Sequence, residues 1–426
     1  MSDPALPRLL VVGGGFTGLW ATRALAGAPL RITLLDRRNH HLFQPLLYQV
    51  ATAGLSAPDI AAPLRHILRR QPNVEVRLGE ARAIEPAARQ VLLADGTHLA
   101  YDYLLVATGA SHAYFGHDEW REHALGLKTL DDALALRRKL LLAFERAEAE
   151  TDPAERAAWL NFAIVGGGPT GVELAGTLAE IAHHTLKNEF RHIDSRMAKV
   201  RLIEAGPRVL PSFPPELTDK AQRQLTRLGV EVVTGTPVTH IDADGYRLGD
   251  QYVPAHTVVW AAGVAASPLA ASLGVPLDRA GRVIVAADLS VPGHPEIFVG
   301  GDLAAVLRAD GRPVPGVAPA AKQMGRHIAT AVRDRLASRT TGPFQYRDNG
   351  NLATIGRKAA IVQFGRFKLS GLLAWWFWLA AHVVFLIGFR NRFVVLLNWA
   401  MAYWSYQRAA RIILGAPEQP PPDRDR

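Results

Sequence analysis

The chain has 426 residues, 49% of them apolar, enough for two or three domains with cores of their own. It has no cysteine, which excludes disulfide frameworks, thiolate metal sites and any redox-active thiol pair. The formal net charge is +9, but residues 326–426 hold 15 Lys/Arg against 5 Asp/Glu, a balance of +10, so the remainder is close to neutral at −1. A basic excess confined to one apolar, Trp-rich end points to an anionic membrane surface and away from nucleic acid.

Polar Ser2 and Asp3 precede the first strand directly, with no signal-peptide pattern, so the domains that follow are expected in the cytoplasm. Leu9–Val12 has the length and apolarity of a buried parallel strand. Gly13-x-Gly15-x-x-Gly18 follows and opens a helix, with Phe16 and Thr17 inside the loop. One glycine allows the tight turn, one lets backbone approach a pyrophosphate, and one lets helix pack on strand. The helix N-terminus offers free N–H groups to the phosphates. Arg31–Leu35 is the next strand and ends at Asp36, where a carboxylate meets a ribose hydroxyl. Strand, loop, helix, second strand and acid together predict a dinucleotide-binding fold.

Residues 37–54 read as a loop into a short helix. Val74–Gly79 and Gln90–Leu93 read as short strands of a small meander, with Asp95-Gly96 as a hairpin signal. Tyr103–Val106 is a buried strand ending in the small-residue turn Ala107-Thr108-Gly109, which lets backbone pack against a nucleotide. Thr129–Glu150 is an amphipathic helix, and Asp152-Pro153 starts another helical segment.

The first device then recurs. Phe162–Val165 leads into Gly166-x-Gly168-x-x-Gly171, with Pro169 and Thr170 in the loop, and Val200–Ile203 ends at Glu204. Thr257–Gly263 repeats the pattern of residues 103–109 and ends in Ala262-Gly263. Two such folds suggest two cofactors, one retained and one exchanged. The alternative is a degenerate duplicate, but both glycine sets and both acids are intact. Glu296–Asp302 reads as a strand ending in an acid, and a helix runs from about residue 320 to 336. The segment from about 274 to 337 is expected to return to the first domain. Residues 338–343 form a linker.

Gly371–Phe389 contains no Asp, Glu, Lys or Arg, and its polar break is His382. As a helix it would reach about 28 Å, close to a bilayer core. Trp375, Trp376, Trp378, Trp399 and Trp404 are five of the nine tryptophans. Arg390 and Arg392 precede a second helix-like run, Phe393–Leu414, with Arg408 and Arg411 late in it. A spanning helix, a buried dimer-interface helix and a pair of amphipathic helices in the headgroup region compete. Interfacial Trp and flanking arginines favour the last. The Pro-rich tail after Leu414 is expected to be disordered.

The chain resembles the two-dinucleotide-binding-domain flavoproteins, and specifically type II NADH dehydrogenases (NADH:quinone oxidoreductases). The marks are His40–Thr52 (HHLFQPLLYQVAT), Val165–Gly176 (VGGGPTGVELAG), Gly300-Gly-Asp302, Asn351–Lys358 and the aromatic segment Leu372–Ile412. The resemblance covers nearly the whole chain. It implies an α/β fold of two Rossmann-like dinucleotide-binding domains plus a C-terminal amphipathic-helix membrane-binding segment. Residues 1–115 and 274–340 would form the FAD domain, 116–273 the NADH domain with its linking helix, and 341–426 the membrane anchor.

By the same resemblance FAD is tightly bound and NADH is a substrate. Asp36 would bind the FAD ribose beside Arg37, Ala107, Thr108 and Gly109 would line FAD, and Asp302 would meet its ribityl or pyrophosphate region. The structural alternative for Asp302 is a helix N-cap. Glu204 would accept from the ribose hydroxyls of NADH and repel the 2′-phosphate of NADPH, although Arg208 lies nearby. Glu173 would lie close to the nicotinamide and the flavin; the alternative is a first-turn carboxylate favoured by the helix dipole. The family has two glutamines at a quinone-side helix. Here Gln323 is retained and Pro319 replaces the other, leaving Gln44, Tyr48 or Lys322 as substitutes. Gln323 has a helix-surface amide as its alternative.

The expected function is a flavoenzyme on the cytoplasmic face of the cell membrane that passes electrons from NADH to a membrane quinone without pumping ions. Its partners would be the quinone, anionic phospholipid and a second copy in a homodimer. No metal ligand set is expected. Two rival readings are a soluble reductase of an electron-carrier protein and a membrane flavoprotein with a sensing or interaction role. A sulfide–quinone enzyme would need cysteines.

Overall fold

The computed structural model describes residues 6–385, 393–400 and 410–414. The chain forms two compact units: residues 1–45, 61–113 and 263–350 make the first, and residues 46–60, 114–262 and 351–426 the second.

The first unit is built on a six-stranded sheet in the order Ser290–Val291, His294–Val299, Tyr103–Val106, Arg8–Val12, Arg31–Asp36, Val74–Leu78. All neighbours are parallel except the first pair. Parallel strands covered on both faces read as continuous apolar runs, and Leu9–Val12 and Leu104–Val106 are buried throughout. Val74–Leu78, expected in a meander, instead pairs with Arg31–Asp36 in parallel register, Ile32 opposite Val74, and forms the sheet edge. The meander is made by Ala81–Glu85, Gln90–Leu93 and His98–Ala100, turning at Gly96.

The helix Ala318–Leu336 belongs to this unit because it lies on the helix Phe16–Ala24. The Thr17 hydroxyl donates to the Ala321 carbonyl at 3.1 Å, and a Cβ on Gly325 would strike the Thr17 carbonyl. The chain re-enters the unit at Gly263, earlier than residue 274, because Val264–Ala266 pairs antiparallel with Ala110–His112.

The second unit repeats the plan with a five-stranded parallel sheet: Ala124–Gly126, Thr257–Trp260, Asn161–Val165, Lys199–Glu204, Val230–Thr234. The helix Leu130–Ala149 starts in a capping box, Thr129 accepting from the Asp132 amide while Asp132 accepts from the Thr129 amide. Asp152 caps Pro153–Trp159. Residues 46–60 join this unit, with Leu47–Ala51 packed on Leu130–Ala149.

An antiparallel sheet of Asn351–Gly356, Ala359–Phe364 and Phe367–Ser370 lies against the helix Pro169–Glu180. A Cβ on Gly176 would run into the Ile355 carbonyl, so the strand rests directly on the helix backbone. The helix Leu372–Phe385 follows. Among the described residues no helix is long and apolar enough to cross a membrane. Residues 393–400 are helical, but residues 411–414 are not, so the run expected from Phe393 to Leu414 does not continue as helix to its end. Phe389, Arg390, Arg392, Trp404, Arg408 and the Pro-rich tail lie outside the described residues.

Candidate active site

The first glycine loop begins at the end of a buried strand. Gly13 has φ +107°, a conformation costly for any residue with a Cβ, and a Cβ there would also strike the Ala107 carbonyl. Gly18 closes on the Gly13 carbonyl. The Gly14 amide donates to Asp36 Oδ2 at 2.6 Å, and the Arg38 amide donates to Asp36 Oδ1 at 2.7 Å. The Gly14 carbonyl lies 2.9 Å from His41 Nδ1. Burial pushes the His41 pKa down to about 4, so the ring is neutral and Nδ1 carries the donated hydrogen.

The second loop is built the same way. Gly166 has φ +116° and abuts Ala261; Gly171 closes on the Gly166 carbonyl. The Gly167 amide donates to Glu204 Oε2 at 2.6 Å, and the Gly206 amide to Oε1 at 2.7 Å. The Gly167 carbonyl accepts from the Leu210 amide at 2.7 Å, so a backbone donor stands where the first loop uses His41. In both sheets the loop follows the strand at which the order reverses, where doubly wound folds bind their ligands.

Both loops have room for phosphate. Nothing lies within 4 Å of a Cβ placed on Gly15 or on Gly168. Thr108 Oγ1 is buried and has no hydrogen-bond partner among the described residues, a polar group that a bound nucleotide would satisfy. Ala107 and Gly109 flank it beyond the strand end, and Ala262-Gly263 occupy the corresponding place in the sequence of the second fold. Asp302 sits in the 3-10 turn Gly301–Leu303, whose N-cap is Gly300, so the carboxylate is not a helix cap. Its Oδ1 instead faces Gly316. These features fit a flavin dinucleotide on the first unit.

Some expected contacts are limited to backbone. Thr17 spends its hydroxyl on helix packing, and the Phe16 ring joins Trp20, His41 and Phe43 at 5.0–6.0 Å. Arg37 pairs with Glu80 on the surface at 3.3 Å. Pro169 and Thr170, expected in the loop, are instead the first two residues of the helix Pro169–Glu180, and both are exposed.

Glu173 is not a first-turn residue. The helix starts at Pro169 and has no acid in its first turn. The side chain is 8% exposed, with the Thr354 amide 3.5 Å from Oε1. Burial pushes its pKa up to about 8, only partly opposed by that amide. Glu173 is thus a buried acid beyond the first turn, and its burial favours the protonated form.

The residues expected at a quinone divide between the units. Gln44, Lys322 and Gln323 are in the first and Tyr48 in the second. Gln323 Nε2 donates to the Arg347 carbonyl and its Oε1 accepts from the Arg347 amide, both at 2.9 Å. The amide thus fastens residues 344–350 to the helix. Lys322 Nζ lies 4.6 Å from the Trp20 ring centre and 5.2 Å from that of Phe16; burial, then Arg326, lowers its pKa to about 8. Tyr48 is buried, and its hydroxyl accepts from Gln49 Nε2 at 3.0 Å. Sequence reasoning did not single out Gln49 or His41, although both lie inside the HHLFQPLLYQVAT stretch.

Two glycine-loop dinucleotide folds in one chain define a two-domain pyridine-nucleotide oxidoreductase. The chain matches the pyridine nucleotide-disulphide oxidoreductase family over residues 7–325 and the NDH2 C-terminal domain over residues 349–405. It is 45% identical over 420 residues to the type II NADH:quinone oxidoreductase Ndh of Mycobacterium tuberculosis, covering 95% of this chain and 90% of the relative. It is 32% identical to the demethylphylloquinone reductase NdbB of Synechocystis, covering 94% and 96%. The fold superposes on NDH2 of Plasmodium falciparum with TM-score 0.88 at 19% identity, covering 96% of this chain and all of the other. The chain belongs to the type II NADH:quinone oxidoreductase family.

Proposed function

We propose that this protein oxidises NADH and reduces a membrane quinone without pumping ions, holding FAD on the first unit and receiving NADH on the second. The observation that carries the assignment is the duplicated loop, in which each acid is bound by the second glycine of its own loop: Asp36 by Gly14 and Glu204 by Gly167. When bound, FAD supplies the two-electron redox chemistry. The residues of this chain hold, orient and exclude.

Gly15 and the helix N-terminus at Phe16 receive the FAD phosphates, Asp36 the adenosine ribose, and Thr108 Oγ1 and Asp302 further polar groups of the cofactor. Each oxygen of Glu204 accepts one backbone N–H and keeps acceptor capacity for a ribose hydroxyl. Two carboxylate oxygens at that place repel a 2′-phosphate, which selects NADH. Neutral Glu173 acts as a hydrogen-bond donor in the nicotinamide region and as a reservoir for a single proton. Lys322, on the unit that holds FAD, is the quinone-side donor. Gln323, with its amide held by Arg347, supports the helix that carries Lys322.

The second unit presents the membrane surface. Phe364, Phe367, Leu372, Leu373, Trp376 and Phe377 are exposed in a short stretch of chain with Arg366 and Lys368 among them. Aromatic and basic residues together suit the headgroup region of an anionic bilayer on its cytoplasmic face. A homodimer covering the same apolar face is the alternative that oligomeric state in detergent would distinguish.

Stopped-flow absorbance tests the central reading. NADH should bleach the bound flavin, and a soluble quinone added afterwards should restore it. A flavin that NADH reduces but no quinone reoxidises would leave a redox-sensing or electron-carrier reductase in its place.

A further inference from the structure

The helix Leu130–Ala149 buries a stripe made of Ala133, Leu136, Arg137, Leu140, Ala143, Phe144 and Ala147. All but one are apolar, as a helix packed on a core requires. Arg137 is the exception, and it is 6% exposed. A guanidinium stays charged at any physiological pH, and a buried charge is stable only beside an opposite charge or a set of acceptors. Among the described residues Arg137 has neither: it makes no hydrogen bond, ion pair or ring contact. Burial lowers its pKa, and no carboxylate raises it again. Arg201 and Arg335 are less buried and yet paired, Arg201 with Glu231 and Arg335 with Asp288, both at 2.7 Å.

Arg137 lines a cavity of about 500 Å³ on the second unit, a size within the roughly 300–1,000 Å³ of small-molecule sites. Arg138 and Lys139 line it too. The one acid of the described wall is Glu122, which is exposed at the end of the 3-10 turn Asp118–Glu122. Leu125 and Leu134 give the wall an apolar side. No lining residue belongs to the loop Gly166–Gly171 or to the segment around Glu204, so the cavity is separate from the dinucleotide loop of this unit.

We infer that this cavity is a further anion site of the protein, in which the Arg137 guanidinium binds the phosphate group of a phosphate ester while Leu125 and Leu134 meet its organic part. A planar guanidinium meets phosphate through two parallel N–H···O bonds. A phosphate monoester carries about −1.5 to −2 charges at pH 7, so it suits this wall better than a single carboxylate does. A soluble phosphate ester and the headgroup of phosphatidic acid both offer that group. The site depends neither on the quinone nor on NADH.

The test uses the full-length flavoprotein saturated with NAD⁺, so that the glycine loop of the second fold is occupied. Calorimetric titration with phenyl phosphate in chloride buffer should find one site. Arg137→Met removes the charge and keeps an unbranched apolar chain in the buried stripe. Ala135→Glu adds a negative charge at an exposed position of the same wall. Each variant should weaken phenyl phosphate about tenfold or more, the loss expected for one charged contact, with flavin content and flavin reduction by NADH unchanged. Phenyl phosphate should raise the Tm of the parent and leave that of Arg137→Met where it was. In a second arm the parent should prefer phosphatidic acid vesicles over phosphatidylglycerol vesicles if a lipid supplies the phosphate, and both variants should lose that preference. Phenyl phosphate binding that both variants lose assigns a soluble ester. A phosphatidic acid preference that both lose, without phenyl phosphate binding, assigns a headgroup, and either result upholds the site. No binding by the parent in either arm, or equal binding by parent and Arg137→Met, would overturn it. Benzoate bound as tightly as phenyl phosphate would overturn phosphate as the ligand class.

Discussion

Glu204 Oε2 accepts from the Gly167 amide at 2.6 Å, so the residue we propose as the selector of the dinucleotide also shapes the glycine loop before it. Its second oxygen is held by the Gly206 amide at 2.7 Å. A neutral amide at this position has one acceptor oxygen where the carboxylate has two. Glu204→Gln should therefore weaken the loop as well as the repulsion of a 2′-phosphate. The NADPH-to-NADH ratio of kcat/KM should rise about tenfold, equivalent to about 1.4 kcal/mol. Steady-state kinetics with both nucleotides measures this, and a parent enzyme that already uses NADPH equally well would sink the assignment of Glu204.

Glu173 makes stability depend on pH. Its folded pKa, about 8, lies above the ordinary carboxyl value of 4.5. Between those two values the folded state holds a proton that the unfolded state has lost, so this group lowers stability as pH rises through that window. Glu173→Gln cannot ionise and should escape the loss. Denaturant unfolding should find parent and variant alike near pH 4 and the variant more stable near pH 8. Parallel pH profiles would mean that Glu173 is not held neutral. The same variant should retain FAD but slow flavin reduction by NADH.

Close backbone packing holds the C-terminal sheet to the second nucleotide fold. Gly176→Ala would drive a methyl group into the Ile355 carbonyl, an atom that moves only with its strand. The variant should lose at least about 2 kcal/mol. Thermal unfolding should show a lower midpoint, with the C-terminal sheet becoming the first region to exchange amide hydrogens.

Exposure divides the tryptophans of the C-terminal helix, and the proposed membrane attachment predicts a different role for each. Trp376 is 53% exposed and Trp378 is 2% exposed. Replacing Leu373, Trp376 and Phe377 with Ser should weaken binding to anionic vesicles and leave unfolding unchanged. Trp378→Ser should instead destabilise the fold by about 3–5 kcal/mol, as for other large buried truncations. High salt should release the parent only partly, since it screens Arg366 but not the apolar contacts. Complete release by salt in a vesicle sedimentation assay would mean that the exposed aromatic side chains do not enter the bilayer.

Much of the site was legible because it is local. A glycine loop, the strand before it and the acid after it lie within about 40 residues, and their spacing is set by the turn that the backbone must make. The sequence alone thus determined two Rossmann-like folds, the pairing of loop with Asp36 and with Glu204, and an aromatic, basic C-terminal region. Helix starts at Thr129 and Asp152 were also readable, because a capping side chain bonds within its own turn.

The tertiary structure decided what depends on partners distant in sequence. Glu173 is a buried acid because residues 351–356 cover its helix, which no pattern near Glu173 announces. Arg411, expected at the lipid, is paired with Glu189 at 2.6 Å. Val74–Leu78 became a sheet edge because Arg31–Asp36 offered it parallel register. In the helix Leu372–Phe385 apolar residues surround the whole axis, so periodicity cannot say which side faces protein. Ala374, Trp378 and His382, four residues apart, turn inward, and Leu373, Trp376 and Phe377 are left exposed. That choice is made by packing against Ala359–Phe364, a strand whose position only the folded chain fixes.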